Sequence, residues 1–222
     1  MDLNEWIPFY NALEASDREK IRGSIYERSA RAGSEVYSDT TSCVGVIVVL
    51  DGELRSYFVT DEGKEVTLFR LLSRDMCLFS ASCIMHNIDF DVQIQATKDT
   101  AFLVIPIPVF EKLMETSLPV VQYMNALMAS RFSDVMWLMS AILSKKMDER
   151  LAALLFERED PPESGIVKAT HEELAQDLGS AREVVSRMMR YLEKEGLVKK
   201  GRGKTEITDR EGLMALAKPA MR

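Results

Sequence analysis

Five side chains within nine residues, Arg182, Glu183, Ser186, Arg187 and Arg190, carry the densest chemistry in this 222-residue chain. Arginine can bond guanine O6 and N7 through two parallel hydrogen bonds, and glutamate can accept from cytosine N4. Ser180 precedes the group, and Lys199, Lys200 and Arg202 follow it. These are the residue types that read and hold a nucleic acid. The bland alternative is a solvated helix face, with Glu183 and Arg187 paired at i, i+4.

A second group is Cys77, Cys83 and His86, with Cys43 elsewhere. Three thiols and an imidazole could bind a soft metal or an iron–sulfur cluster, or act as a redox pair. Free cysteine is more often a small apolar filler, and that reading is preferred to a metal site. If a pocket lies in this region, Cys77, Ser80, Ser82 and Cys83 are its candidate lining, as polar groups in an apolar surround. No cofactor can be named. Catalysis finds little support: the sequence has no phosphate-binding G-x4-G-K-[ST], no H-E-x-x-H and no G-x-S-x-G. Its two histidines, His86 and His171, stand beside no obvious nucleophile in the sequence.

The basic group needs a helix to present it. Residues 170–198 read as two short helices and a turn. Thr170 and Glu173 fit a capping box, as do Ser180 and Glu183. Leu174, Ala175 and Leu178 share one face of the first helix, and Gly179 stops it. Val185, Met188, Met189 and Leu192 stripe the second, leaving the arginines outside. This spacing predicts a helix-turn-helix. Residues 197–200 and 205–208, around Gly201-Arg202-Gly203, read as a hairpin wing with a basic tip, and Asp209 caps a last helix.

Upstream, residues 34–106 are short β-branched and aromatic runs cut by turns at Asp51-Gly52 and 61–64, as in a small antiparallel sandwich or roll. Ser16 and Glu19 suggest a capped helix before it. Residues 109–115 form a short helix. Residues 119–145 follow as a long one, roughly 40 Å at 1.5 Å per residue. Its apolar stripe is taken as Val121, Met124, Met128, Val135, Leu138 and Ile142. It is too long for a small roll to cover, so a parallel copy from a second subunit is expected along it. The expected domains are 1–118 (a sensing roll), 119–145 (the dimerisation helix) and 146–222 (the winged domain), with a hinge near residues 145–148.

The net charge of −7 looks wrong for a DNA binder, but its distribution does not. Residues 180–205 hold 8 basic and 3 acidic side chains. Positive charge is therefore concentrated where phosphates would lie. The continuous apolar run at residues 46–50 is far short of the roughly 20 residues of a membrane span. The N-terminal residues lack the pattern of an export signal, so a reducing cytoplasm and reduced thiols are expected.

The order of roll, long helix and winged helix-turn-helix resembles the bacterial cyclic-AMP receptor protein/fumarate-nitrate regulator (Crp/Fnr) superfamily. The most specific match is Gly179-Ser180-Ala181-Arg182-Glu183-Val184-Val185-Ser186-Arg187, which looks like its recognition-helix signature. The resemblance implies an α+β fold: an antiparallel β-roll of the cyclic-nucleotide-binding, jelly-roll type, a dimerisation helix and a winged helix. It implies a homodimer on double-stranded DNA, with Arg182, Glu183 and Arg187 at base edges. Ser180, Lys199, Lys200 and Arg202 would be at phosphates, and Arg190 at the backbone or in solvent. RNA polymerase is a further partner if the protein activates. The family's cyclic-nucleotide binders carry a Gly-Glu-Leu segment and later an Arg-Ser/Thr pair. Residues 75–85 have no such glutamate and residues 87–91 no arginine. Standard cyclic-AMP binding is therefore not expected, and the effector is an unknown small molecule or redox signal. The different-class alternative is a regulatory module whose winged helix binds a protein partner.

Overall fold

A computed structural model of the chain describes residues 2–37, 44–77, 92–201 and 203–221. Seven α-helices and eleven strands are described, and they fall into two compact units. Residues 2–58 and 68–134 make up the first. Residues 59–67 and 135–221 make up the second.

The first unit is the predicted antiparallel roll, less a hairpin tip at residues 59–67. Its strands are β1 (Tyr26–Ala30), β2 (Glu35–Tyr37), β3 (Val46–Asp51), β4 (Leu54–Val59), β5 (Glu65–Leu71), β6 (Met76–Cys77), β7 (Gln93–Ala96) and β8 (Thr100–Ile105). They form two four-stranded sheets in the orders β1-β8-β3-β6 and β2-β7-β4-β5. Central strand β3 pairs with β8 from Val46 opposite Ile105 to Asp51 opposite Ala101, with a bulge past Val49. Val46, Ile47, Val48 and Val49 are all fully buried, so both faces of β3 are covered and its run is continuous rather than alternating. Ile47, Val49, Leu54, Leu71, Ile94, Phe102 and Val104 fill one core of the roll. Gly52 turns β3 into β4 at φ +90°; a Cβ there would meet the Asp99 carbonyl oxygen at 2.4 Å, so only glycine fits.

Helix α1 (Ala15–Ser24) and α2 (Ile107–Thr116) close the other side of β3. The capping box expected at Ser16 does not form. Glu14 takes the N-cap position without a side-chain bond, because the helix begins two residues earlier than that box requires, at Ala15.

Helix α3 (Leu118–Ser144) is a single 27-residue helix. In length and composition it could cross a bilayer, alone among the described helices. That departs from the expectation drawn from residues 46–50, because single polar residues interrupt its apolar run. Its faces show the reason for the composition. Met124, Val120 and the half-buried Tyr123, Leu127 and Met128 pack into the core shared with α1 and α2. Arg131 lies over the Phe69 ring at 4.6 Å, 3.4 Å from Asp134 and 3.9 Å from Asp75. The break in the stripe near Arg131 is thus a polar tie to the roll, made just before β6.

The expected seam is a finding in the opposite direction. Met124 and Met128 turn toward their own unit. The exposed line is Leu118, Gln122, Asn125, Ala129, Phe132, Met136, Met139 and Leu143, every one exposed and spaced alternately by four and three residues. Leu118, Phe132 and Leu143 keep 66%, 68% and 75% of their surface open. That is the a/d pattern of a two-helix seam.

The second unit holds α4 (Met147–Glu157), β9 (Ile166–Val167), α5 (His171–Leu178), α6 (Arg182–Lys194), β10 (Val198–Gly201), β11 (Lys204–Ile207) and α7 (Arg210–Ala217). Its core joins Leu151, Leu155, Leu174, Leu178, Val185, Met189, Leu192, Val198 and Leu213.

Candidate nucleic-acid interface

Helix α5 begins as its sequence demands. Thr170 Oγ1 accepts from the Glu173 N–H at 3.1 Å, and Glu173 Oε2 accepts from the Thr170 N–H at 2.6 Å. It ends at Gly179, at φ +60°, with the Ser180 N–H returning to the Ala175 carbonyl at 2.9 Å. This is the Schellman closure, which needs the left-handed residue glycine supplies. The buried Arg150 of α4 reaches across to donate from Nη2 to the Leu178 carbonyl at 2.5 Å. It thereby satisfies one of the last carbonyls of α5 and anchors the turn.

The second capping box does not form. Helix α6 starts at Arg182 with Ala181 at its N-cap and no side-chain cap bond. The Schellman closure commits the Ser180 backbone to the end of α5, which moves the start of α6 on by one residue. Val185, Met189 and Leu192 are buried, as their spacing predicts, while Arg182, Glu183, Arg187 and Arg190 are exposed. Among the described residues no hydrogen bond or ion pair holds Arg182, Glu183 or Arg187, so the Glu183–Arg187 pair of a solvated face is not made. Arg190 lies back along its own helix, Nε to the Ser186 carbonyl at 3.3 Å.

The wing is antiparallel, with Lys199 opposite Glu206 and Gly201 opposite Lys204, and β9 adds a third strand to it. Lys199 is exposed. Lys200 is not a loose cation. Its Nζ lies 2.9 Å from Glu193 Oε2, and its backbone N–H donates to Glu193 Oε1 at 3.1 Å. The bond from the Lys200 side chain holds the Glu193 carboxyl below its ordinary range. Lys200 therefore ties the wing to α6. Asp209 caps α7 as expected, accepting from the Gly212 N–H at 2.9 Å. Arg210 then spans to Glu159 at 2.7 Å.

One residue of this face escaped the sequence reading. His171, half-buried at the start of α5, has Nδ1 2.9 Å from Ser186 Oγ on α6. In the fold this histidine stands beside a hydroxyl. Burial, and then the charges of Lys200 and Arg182, push its imidazole below the ordinary 6.5. No periodicity links residues 171 and 186, since each belongs to a different helix. Only the angle between α5 and α6 brings them together.

On the sensing side, Cys77 ends β6, 1% exposed, inside the roll core. Burial there fits core packing. Ser80, Ser82, Cys83 and His86 lie outside the described residues, as do Cys43 and Arg202. Of the segments 75–85 and 87–91, which lack the nucleotide binders' glutamate and arginine, residues 78–85 and 87–91 lie there too. Among the described residues no cluster of three His, Cys, Asp or Glu could hold a metal.

Comparison with known proteins agrees with this architecture. Residues 27–117 match the cyclic nucleotide-binding domain, and residues 149–216 match the Crp-like helix-turn-helix domain. A crystal structure from Eubacterium rectale, assigned to the crp/fnr family of transcriptional regulators, is 42% identical with a TM-score of 0.91. The match covers 96% of this chain and 99% of that one. The transcriptional activator FnrA of Stutzerimonas stutzeri is 29% identical over 205 residues, 87% of this chain and 81% of FnrA. The transcriptional regulator SdrP of Thermus thermophilus is 38% identical over 82 residues, which span 34% of this chain and 41% of SdrP. With its roll, its long helix and its winged helix-turn-helix matched over nearly the whole length, the chain belongs to the Crp/Fnr family of transcription regulators.

Proposed function

We propose that the protein is a homodimer that binds a two-fold symmetric site on double-stranded DNA in the cytoplasm, gated by an effector or redox signal in the roll. The observation that carries the DNA reading is α6, which has one buried apolar face and an opposite face of uncommitted Arg182, Glu183 and Arg187. Placed in a major groove, those three have the chemistry to read guanine and cytosine edges. Lys199, Lys204 and Arg202 at the wing tip supply phosphate contacts, Ser180 and Ser186 polar ones, and Arg190 a contact with the DNA backbone.

The homodimer is supported by the open four-three line on α3. Pairing two copies along it would present two α6 helices to successive major grooves, about 34 Å apart. The sensing role rests on the roll and on Cys77 facing its core. Ser80, Ser82 and Cys83 remain its candidate partners. RNA polymerase is a further partner if the protein activates.

The test is selection of a random-sequence duplex pool at fixed salt. Enrichment of a motif with two-fold symmetry is the expected result. A pool that stays random after repeated rounds would sink the DNA reading. The absorption spectrum and metal content of the purified protein test the sensing side, because haem or an iron–sulfur cluster would show at once.

A further inference from the structure

We infer that His171 is a proton-coupled ligand for a DNA backbone phosphate: bound duplex draws a proton onto its imidazole, which then donates from Nε2 to the phosphate while Nδ1 stays on Ser186. The inference rests on the DNA-binding reading above and adds to it a residue and a linkage.

The geometry comes first. His171 Nδ1 is tied to Ser186 Oγ at 2.9 Å, on the helix that would enter the groove. A serine hydroxyl both donates and accepts, so this bond survives whichever form the ring takes. Nε2 makes no hydrogen bond among the described residues. It is the nitrogen left for a ligand.

The charges around the ring come from three elements. From α6, Arg182 bears on it. From the wing, Lys200 does, itself held by Glu193 at 2.9 Å. On α5 the neighbours are Glu172 and Glu173, and Glu173 turns back to the Thr170 N–H at 2.6 Å. In the free protein partial burial, and then the charges of Lys200 and Arg182, disfavour the imidazolium. DNA reverses the sign of that field. Backbone phosphates place negative charge beside the ring, so the bound state favours the charged form.

The balance is simple. One proton leaves solvent and joins the imidazole as the complex forms, and no other bond is made or broken. A state that binds more protons is favoured as pH falls. Duplex affinity must therefore rise as pH drops through the interval between the free and bound titrations of His171. Each pKa unit gained on binding is worth about tenfold in affinity.

The experiment uses the full chain and a fluorescein-labelled duplex of the enriched sequence, or of random sequence if none enriches. Anisotropy titrations run from pH 8.0 to 5.8 at fixed salt on wild type, His171→Gln and His171→Arg. The chain has two histidines, so the His171 imidazole signal is assigned by its loss in His171→Gln and followed with and without DNA. Expected are a roughly threefold to tenfold tightening of wild type toward low pH, a flat profile for both variants and a His171 titration moved upward by DNA. A wild-type slope retained in His171→Gln, or a His171 titration unmoved by bound DNA, overturns the inference while leaving DNA binding intact. No binding by any form at any pH overturns the DNA reading itself, and this inference with it.

Discussion

The exposed line on α3 makes a prediction that separates it from the stripe read off the sequence. Phe132 keeps 68% of its surface open in the single chain. Fully burying a large apolar side chain is worth about 1.5–3 kcal/mol. Two-thirds of that, gained by both copies, comes to about 2–4 kcal/mol per dimer. At 1.4 kcal/mol per tenfold, Phe132→Ala should raise the dimer dissociation constant about thirtyfold to several-hundredfold. Met128→Ala is the control. Met128 sits half-buried against the core shared by α1, α2 and β3, so its loss should lower the melting temperature and leave dimer affinity within about threefold. Sedimentation equilibrium across a concentration series measures the first quantity, and thermal unfolding followed by circular dichroism the second. If Met128→Ala splits the dimer and Phe132→Ala does not, the seam is the stripe of Val121, Met124 and Met128, and the reasoning from exposure fails.

Three further outcomes follow from the winged unit. Arg182→Ala should cost about 1–3 kcal/mol of affinity for the enriched duplex and relax specificity at one base pair, read by competition with single-base variants. Arg150→Met should destabilise the protein by about 1–3 kcal/mol, because the Leu178 carbonyl loses its 2.5 Å donor; denaturant unfolding would show an unchanged midpoint if the bond is idle. The pH dependence of the free protein should run opposite to that of DNA binding. His171 titrates below 6.5 when folded, so between that point and 6.5 the unfolded chain binds more protons. Its contribution to stability is present above 6.5 and is lost as pH falls through the folded titration. His171→Gln should flatten that slope in thermal melts from pH 7.5 to 5.5, and an unchanged slope would remove His171 from the account.

Much of the fold is legible because the signals are local. β4 and β5 flank the turn predicted at residues 61–64, because a hairpin turn is set by residues adjacent in the chain. The Thr170–Glu173 box and the Gly179 stop are where the sequence puts them, because a cap needs only residues three or four apart. The uncommitted arginines of α6 are legible too: a buried stripe of Val185, Met189 and Leu192 leaves them only the outside.

What escaped depends on neighbours distant in sequence. Helix α3 has apolar residues on more than one face, so no count of its spacings says which line meets its own roll and which meets another chain. Packing of Met124 and Met128 beneath α1 and α2 decided the first, and Phe132, Met136, Met139 and Leu143 are left open. Lys200 carries the same charge as Lys199 in the sequence, yet its strand register delivers it to Glu193 and makes it a strut. The sequence alone determined most of the elements, though not strand β1 at Tyr26–Ala30, and that a basic, arginine-bearing helix is shown to the outside. Tertiary structure decided which face of α3 is free, which wing lysine is committed, and that His171 meets Ser186. Each of these is a distance between residues that the chain brings together only after it folds.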